Sequence, residues 1–422
     1  MGSEMCIRDR YCVMATGCLS VPNTPSLEGA DSFEGKVLHT GRWPKKPVDL
    51  SKKQVGVIGT GSSGVQAIPE LAKQSGHLFV YQRSPVYTVP ANRKIMREEV
   101  QAEFRRNYRE IRELQQLNFG GVSNFRLTES IKRAVPKESQ TARSSKICEI
   151  SEDHLKQMIS EQGLGVLLSF TDVYSDIRAN EIANQLFREE ISDIVEQQGV
   201  ANSLLPKDYG LGCKRQVLDR AYYETFNRPD VTLIDLKQTS IERISPKGIV
   251  TGDSEQELDV IIYATGFDAM TGALLKSNII GRQGKTLKEK WQFGPEAYLG
   301  LQIAGFPNLF TVTGPGSPSV LCNMLVAIEQ HINWIADCIG YLGSNGFSSI
   351  EPTSAAEQDW IAHVNEVAEG TMYTAPSCNS WYLGANIPGK PRIFMPYVGG
   401  FPQYKSRCDA IVQNHYEGFV IS

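Results

Sequence analysis

Short apolar runs separated by glycine turns dominate the first part of the chain. Residues 11–17 (YCVMATG), 54–58 (QVGVI) and 77–82 (HLFVYQ) each predict a short buried strand. The segment 59–64 (GTGSSG) follows the second of these strands and opens a helical pattern over 65–74. This order of strand, glycine turn, helix and returning strand predicts a βαβ unit with parallel strands and a right-handed crossover.

The pattern changes to amphipathic, charge-rich helical stretches between about residues 95 and 199. Residues 96–117 and 176–198 are the clearest of these stretches, and strand signals are few among them. Residues 231–236 (VTLIDL) and 258–265 (LDVIIYAT) then restore strand patterns. We therefore expect an α/β protein with a helical insertion.

The strand pattern at 258–265 ends in the same way as the first strand of the chain. The sequences YCVMATG (11–17) and IIYATG (261–266) both end an apolar run in Ala-Thr-Gly. Two such strands suggest two interleaved dinucleotide-binding (Rossmann-like) domains. After this point the chain is rich in Gly and Pro, and the one clear helical pattern covers 325–342.

The overall charge gives no reason to expect a polyanionic partner. The 422 residues include 43 basic and 47 acidic side chains, for a formal net charge of −4. Such a balance produces no field that attracts nucleic acid or anionic lipid, and the sequence has no uninterrupted run of 18 apolar residues. We expect small-molecule partners, with no nucleic acid and no membrane.

Cysteine and histidine spacing argues against a redox dithiol and a metal site. The nine cysteines are scattered and form no CxxC pair, which favours reduced thiols in a cytoplasm. The six histidines show no HxxxH spacing. We therefore expect no metal ion.

The glycines at 59, 61 and 64 match the GxGxxG pattern, in which each has a mechanical role. Gly59 allows the tight turn, Gly61 lets a pyrophosphate approach, and Gly64 lets the helix pack on the strand. The phosphates then lie at the helix N-terminus, where Ser62 and Ser63 add hydroxyl groups. The alternative is a plain glycine-rich turn, but a preceding strand and a following helix favour the nucleotide site.

The end of the second strand of the βαβ unit predicts which dinucleotide binds. An NAD site usually places an acidic residue there, whereas this chain has Gln82, Arg83 and Ser84. A guanidinium group suits a 2′-phosphate, so NADP is favoured over NAD. The alternative is that Arg83 is a solvated surface residue.

Residues 33–44 (FEGKVLHTGRWP) fit the pattern FxGxxxHxxxWP, a few residues before the glycine motif. In this pattern the chain resembles the Baeyer–Villiger monooxygenases, whereas the related N- and S-oxygenating flavoproteins usually have Tyr or Phe in place of Trp43. Without the resemblance, His39 is as readily a hinge histidine as a base. With it, His39 is expected to link two nucleotide domains rather than to react.

Further segments resemble the same family in the same order: 212–215 (GCKR), 314–324 (GPGSPSVLCNM) and 379–392 (NSWYLGANIPGKPR). The resemblance covers about residue 11 to the C-terminus. It implies an enzyme that uses NADPH, FAD and O₂ to insert one oxygen atom next to a ketone carbonyl, giving an ester or lactone. Read without it, Lys214 and Arg215 are two surface cations, Met324 fills a core and Trp381 is a partly buried anchor.

By the resemblance, Arg215 is the catalytic residue: it lies over the flavin and stabilises anionic oxygen, an effect of roughly 3–4 kcal/mol per donor where water is excluded. Lys214 reaches the 2′-phosphate, Met324 touches the flavin, Ser319 to Leu321 border the ketone pocket, and Trp381 lies beside the nicotinamide nucleotide. The expected cofactor-binding residues are Gly59, Thr60, Gly61, Ser62, Ser63, Gly64, Gln66, Arg83, Ser84, Lys214, Met324 and Trp381.

The family pattern also predicts the domain organisation. Residues 1–10 resemble a non-native leader, 11–46 a remnant of the FAD domain with a hinge, 47–257 the NADP domain with its insertion, and 258–422 the C-terminal part of the FAD domain. The family begins with another GxGxxG unit and an acidic partner for the active-site arginine, neither of which precedes Tyr11. We expect this polypeptide alone to bind FAD poorly and to be inactive, while the complete gene product is active; flavin absorbance with ketone-dependent NADPH oxidation by this polypeptide would refute this.

Two alternatives remain at this stage. One is a flavin monooxygenase that oxidises nitrogen or sulfur centres, against which Trp43 and Pro44 argue. The other is an NADP-binding module without turnover, which requires nucleotide binding without bound flavin. Neither the particular ketone nor the oligomeric state follows from the sequence.

Overall fold

The computed structural model describes residues 10–91, 97–122 and 146–422. The expected non-native leader up to residue 9 and the expected start of the insertion at about 95 lie outside these residues. The strands are β1 (Cys12–Met14), β2 (Lys36–His39), β3 (Gln54–Ile58), β4 (His77–Gln82), β5 (Thr88–Pro90), β6 (Val217–Asp219), β7 (Val231–Asp235), β8 (Ile241–Ile244), β9 (Gly248–Thr251), β10 (Ser254–Glu257), β11 (Val260–Tyr263), β12 (Leu309–Thr311), β13 (Ile350–Pro352) and β14 (Phe419–Ile421).

The α-helices of the described residues are α1 (Ser62–Ala72), α2 (Glu98–Arg106), α3 (Tyr108–Gln116), α4 (Glu152–Gln162), α5 (Ile177–Ile194), α6 (Gln198–Leu204), α7 (Gly272–Lys276), α8 (Leu287–Lys290), α9 (Met324–Ser344), α10 (Ser354–Ala368) and α11 (Phe401–Gln413). Two short 3₁₀ helices border the site described below, at Ser319–Leu321 and Trp381–Leu383. The chain is α/β, as expected.

A five-stranded parallel sheet carries the predicted βαβ unit. Its strand order is β2-β11-β3-β4-β7, and each neighbouring pair is parallel. Residues of β3, β4 and β11 are buried almost throughout, because helix α1 and the α5–α6 region cover one face and the β8–β10 meander the other. Burial on both faces explains why these strands read as continuous apolar runs rather than as alternating patterns.

The sheet takes strands from both sides of the segment 47–257. Strand β2 lies before this segment and β11 after it, yet both pair with each other and β11 pairs with β3. A division of the chain at 46/47 and 257/258 therefore cuts through one continuous sheet. Sequence order does not reveal this pairing, because β2 lies beside β11 only in the folded chain.

The helical insertion is present, but its helices are shorter than the pattern predicted. The stretch expected as one helix from about 96 contains two, α2 and α3, with a break at Asn107, which has φ −101° and ψ 19°. Likewise the stretch 176–198 is interrupted at Val195, where the backbone is extended, before α6 begins. Amphipathic charge patterns persist across such breaks because the exposed face of each helix stays polar.

The first strand differs most from its prediction. Strand β1 is parallel to β12, in a separate two-stranded sheet, and it is not buried: 44% of Val13 is exposed. The two segments that end in Ala-Thr-Gly thus lie in different sheets, since β11 belongs to the five-stranded one.

The C-terminal part packs α9, α10 and α11 around a core that includes Trp334 and Tyr404. The helix predicted over 325–342 is confirmed as α9. Across the described ranges, no helix combines the length and apolar character that crossing a bilayer requires.

Candidate active site

The glycine loop between β3 and α1 has room for a phosphate at one position and none at the other two. Gly59 has φ 109°, and a Cβ there would lie 2.7 Å from the Ala264 carbonyl oxygen. A Cβ on Gly64 would lie 2.2 Å from the carbonyl oxygen of Gly59. Around Gly61, in contrast, no described atom beyond its chain neighbours lies within 4 Å of the ideal Cβ. Gly61 is therefore the glycine of the three with open space, as expected for the position that a pyrophosphate approaches.

Helix α1 presents its N-terminus to this open space. Gly61 is the N-cap residue and provides no side chain, and its carbonyl accepts from the Val65 N–H at 2.9 Å. Ser62 is exposed and Ser63 half-buried, and Gln66 is exposed one turn further along. A helix N-terminus without a side-chain cap suits an anion, because N–H groups and the positive dipole end both face it.

Thr60 faces the protein rather than the solvent. Its side chain is 4% exposed, and its hydroxyl donates to the Ser84 carbonyl at 2.9 Å. Arg83, next to Ser84, is exposed at the end of β4. This hydrogen bond holds the glycine loop against the segment that was expected to select the dinucleotide.

Lys214 lies in a cationic environment. Its ammonium nitrogen is 4.1 Å from the centroid of the Tyr209 ring, a cation–π contact. Burial above all, and then repulsion from Arg83 and Lys237, lower the pKa of Lys214 to about 8, while Asp208 acts in the opposite sense. Arg83 and Lys214 are thus close enough to repel each other, and a doubly charged phosphate would relieve that repulsion.

The helical insertion fixes the segment that leads to Lys214. The Asn180 amide on α5 donates to the Val173 and Leu211 carbonyls at 2.7 and 2.9 Å, and the Asn184 carbonyl oxygen accepts from the Leu211 N–H at 2.9 Å. A Cβ on Gly210 would lie 2.1 Å from the Asn180 side-chain oxygen. Hydrogen bonds from these buried asparagine side chains therefore hold the backbone at 210–211 against α5.

Arg215 contacts the 3₁₀ turn Ser319–Leu321. One guanidinium nitrogen donates to the Val320 carbonyl at 3.1 Å, within the 3₁₀ turn Ser319–Leu321. The side chain of Tyr382 also approaches Arg215: burial raises the pKa of Tyr382, and the guanidinium partly opposes that shift. Arg215 is exposed, so the described residues do not by themselves exclude water from it.

Met324 and Trp381 converge on the same region. Met324 begins α9 three residues after the Ser319–Leu321 turn, and Trp381 begins the 3₁₀ turn that contains Tyr382. Both side chains are partly buried against the cluster that includes Val320 and Tyr382. Arg215, Met324 and Trp381 thus all border the cluster that includes Val320 and Tyr382, Arg215 through its contacts with those two residues.

One pair of cysteines contradicts the expectation of reduced thiols. Cys213 and Cys378 form a disulfide across 165 residues of sequence, with their Cα atoms 5.1 Å apart. Cys213 immediately precedes Lys214, and Cys378 lies three residues before Trp381. Two isolated cysteines carry no local signal of their pairing, because only the fold brings them together.

His39 uses both ring nitrogens within the protein. Its Nδ1 accepts from the Gly41 N–H at 2.9 Å, and its Nε2 lies 3.2 Å from the Asn23 carbonyl oxygen. The side chain is 8% exposed. These contacts suit the hinge role expected from the sequence.

Sequence reasoning missed the residues that support the site: Tyr209 beneath Lys214, Asn180 and Asn184 behind Leu211, and Cys378. Asparagine in an amphipathic helix reads as a surface residue, so nothing in the pattern pointed inward. A cavity of about 320 Å³ does occur nearby, lined by Leu383 and Arg392 among others. Its lining does not include Arg215, Lys214 or Trp381.

Comparison with known proteins relates the chain to one family, although no family model matches it. A Baeyer–Villiger monooxygenase of Pseudooceanicola batsensis is 37% identical over 415 residues, which cover 97% of this chain and 72% of the relative. A cyclohexanone 1,2-monooxygenase of an Acinetobacter species is 36% identical, covering 98% and 73%. A phenazine N-monooxygenase of Lysobacter antibioticus is also 36% identical, covering 98% and 73%.

Solved structures agree with the relatives. An oxidised steroid monooxygenase bound to NADP is 43% identical, with a TM-score of 0.86 over 98% of this chain and 75% of its own. A structure of OTEMO in complex with FAD and NADP has a TM-score of 0.89 at 35% identity, with the same coverage. By sequence and by fold, the chain belongs to the Baeyer–Villiger monooxygenases.

Proposed function

We propose that the protein is an NADPH- and FAD-dependent monooxygenase that inserts one oxygen atom from O₂ next to a ketone carbonyl, giving an ester or lactone. The observation that carries the proposal is the position of two adjacent residues. Lys214 lies over the Tyr209 ring, where the charge of Arg83 lowers its pKa, and Arg215 donates to the Val320 carbonyl in the turn before Met324. One short segment thus connects a phosphate-binding region with a candidate reaction centre.

The nicotinamide nucleotide fits the first region. The open space at Gly61 would receive its pyrophosphate at the N-terminus of α1, with Ser62, Ser63 and Gln66 beside it. Arg83, Ser84 and Lys214 would hold the 2′-phosphate through charge-assisted hydrogen bonds. Trp381, partly buried, would lie against the nicotinamide nucleotide.

The flavin fits the second region, where Arg215 and Met324 would contact it. When bound, the two cofactors supply a hydride and a reduced ring that activates O₂. Arg215 would contribute a fixed positive charge where negative charge develops on oxygen during attack on the ketone. Its guanidinium donates to the Val320 carbonyl and stays exposed, so it remains accessible to a bound cofactor. The cofactors would cover this exposed face.

Substitution of Arg215 tests the assignment. We expect Arg215→Ala to reduce ester formation by at least about 100-fold, as for loss of an oxyanion donor. Arg215→Lys, which keeps the charge but not the planar geometry, should recover only part of the activity. The measurement is the ester formed and the NADPH consumed by the purified complete gene product, supplied with FAD and a panel of cyclic and aromatic ketones.

The control is Lys247→Gln, which removes an exposed cation whose ammonium nitrogen lies 3.5 Å from the Glu257 carboxylate. It should leave both rates unchanged. Ester formation by Arg215→Ala at the parental rate would contradict the role of Arg215.

A second candidate is oxygenation of a ring nitrogen, favoured by the 36% identity to the phenazine N-monooxygenase. Offering the enzyme a ketone, a thioether and a heteroaromatic amine in competition separates the two functions by product. Nucleotide binding without flavin and without any product would instead support an NADP-binding module. The domain limits and the cytoplasmic location expected from the sequence stay predictions.

A further inference from the structure

The disulfide joins the two segments that carry the proposed site. Cys213 lies next to Lys214 and two residues before Arg215, and Cys378 lies three residues before Trp381. The two cysteines are 1% and 0% exposed, within one hydrophobic cluster. The bond is therefore internal, and it crosses between parts of the chain that meet only in the fold.

Each half of the disulfide is held by the protein behind it. On one side, the Leu211 backbone is hydrogen-bonded to the side chains of Asn180 and Asn184. On the other, the Arg392 guanidinium donates to the Cys378 carbonyl at 2.6 Å and to the Ala375 carbonyl at 3.3 Å. Few rotatable backbone bonds then separate the disulfide from Lys214 and from Trp381. Motion of one segment relative to the other is restricted at this point.

We propose that the Cys213–Cys378 disulfide is a covalent positioning element, which keeps Lys214 and Arg215 in register with Trp381. This inference rests on the proposed function, because it concerns how the same site is held. The two cysteines are positioning residues, since they touch neither substrate nor cofactor in this assignment. A misplacement of about 1 Å in such a site lowers rates severely, which is why a covalent link here has functional value.

Formation of the bond removes two electrons and two protons from two thiols. A low-molecular-weight disulfide such as oxidised glutathione accepts them and becomes two thiols, and a dithiol such as dithiothreitol reverses the exchange. Because both sulfur atoms are buried, an attacking thiolate reaches them only after local opening. We expect slow reduction of the folded protein and fast reduction once it is unfolded.

The bond itself is tested by peptide mapping. The protein is unfolded in guanidinium chloride with iodoacetamide, with and without prior reduction, and digested for mass spectrometry. Cys213 and Cys378 should resist alkylation before reduction and appear as one cross-linked peptide pair. Complete alkylation of both without reductant would overturn the proposal.

The positioning role is tested with Cys213→Ala, Cys378→Ala and the double variant. Either single change removes the same bond, so all three proteins should behave alike rather than additively. We expect Kd for NADP⁺ to rise by about threefold or more, and the ester formed per NADPH consumed to fall. Tm should fall by more than about 5 °C, since the bond closes a long loop.

The matched control is Cys338→Ala, which removes a fully buried unpaired thiol from the separate core around α9. It should lower Tm without changing Kd for NADP⁺. Should the variants fold poorly, the parent protein reduced with dithiothreitol in mild denaturant and then refolded should show the same rise in Kd, reversed by oxidised glutathione.

A lower Tm with unchanged Kd and unchanged ester yield would mean that the bond only stabilises the fold, and would overturn the proposal. Peptide mapping and NADP⁺ titration need no ketone turnover. If the parent protein forms no ester, the proposed function fails, while these two measurements still decide the inference.

Discussion

The Thr60 hydroxyl donates a 2.9 Å hydrogen bond to the Ser84 carbonyl and so joins the glycine loop to the end of β4. Both residues were expected to touch the cofactor, but the Thr60 hydroxyl is already engaged in this internal hydrogen bond. We therefore expect its side chain to act indirectly, by holding the proposed pyrophosphate site at a fixed distance from the proposed 2′-phosphate site.

Thr60→Val should weaken NADP⁺ binding and stability together. The substitution keeps the shape but leaves the partly buried Ser84 carbonyl without this donor, which should cost about 1 kcal/mol in unfolding free energy. Denaturant unfolding and NADP⁺ titration measure the two effects. Thr60→Ser keeps the hydroxyl and serves as the control. Equal NADP⁺ affinities for the Val and Ser variants would show that the bond does not position the loop.

Alanine at Gly61 should lower the affinity for NADP⁺, whereas alanine at Gly64 should lower the stability of the fold. At Gly61 a Cβ meets no described atom, so stability should change by less than about 0.5 kcal/mol, while NADP⁺ affinity falls by about tenfold or more because the phosphate space is filled. At Gly64 the Cβ would meet the Gly59 carbonyl at 2.2 Å, so the unfolding free energy should fall by about 2 kcal/mol or more. If Gly61→Ala lowered the unfolding free energy but left the affinity for NADP⁺ unchanged, the proposed phosphate site at Gly61 would be refuted.

The affinity for NADP⁺ should fall as pH rises through about 8. Burial, followed by repulsion from Arg83 and Lys237, lowers the pKa of Lys214 to about 8, so its ammonium is charged below that pH and neutral above it. Only the charged form pairs with a 2′-phosphate, which in turn should raise the pKa and cause proton uptake on binding near pH 8.

Calorimetry in buffers of different ionisation enthalpy measures this uptake. In Lys214→Gln the uptake should disappear and the affinity for NADP⁺ should fall by about 10- to 100-fold, as for loss of one charged hydrogen bond, whereas NAD⁺ affinity should change little. A pH profile that is identical in the parent and the variant would remove Lys214 from the 2′-phosphate site.

Asn184→Leu should destabilise the insertion and displace Lys214. The change removes the acceptor for the buried Leu211 N–H and the donor to Asn180, at a cost of about 2–4 kcal/mol. Thermal unfolding should show a lower Tm, and KM for NADPH should rise. Gln185→Ala, on the exposed face of the same helix, is the control and should change the unfolding free energy by less than about 0.5 kcal/mol. An unchanged KM would limit Asn184 to a structural role.

The parts of this protein that the sequence predicted are those whose signal is local. Residues 54–82 contain a strand, a glycine turn, a helix and a second strand in immediate succession, and the structure has them as β3, α1 and β4. Steric limits on glycine and the burial of both sheet faces act within a few residues, so a local pattern reports them. The place of Arg83 at the end of β4 follows for the same reason.

The pattern of apolar and polar residues along the chain did not predict contacts between distant segments. Strands β2 and β11 pair across more than 200 residues, and the Val320 carbonyl meets Arg215 across 105. Breaks within the helical insertion at Asn107 and Val195 were also missed, because an exposed polar face continues on both sides of each break.

By itself, therefore, the sequence determined the fold class, the glycine loop and the identity of the charged groups, since these depend on residues that are neighbours along the chain. Only the tertiary structure decided that Lys214 lies over the Tyr209 ring with its pKa lowered by burial and by Arg83, that Asn180 and Asn184 point inward, and that Cys213 pairs with Cys378. The physical reason is that burial, the pKa of Lys214 and the formation of the disulfide depend on which distant surfaces pack together, and packing is a property of the whole chain.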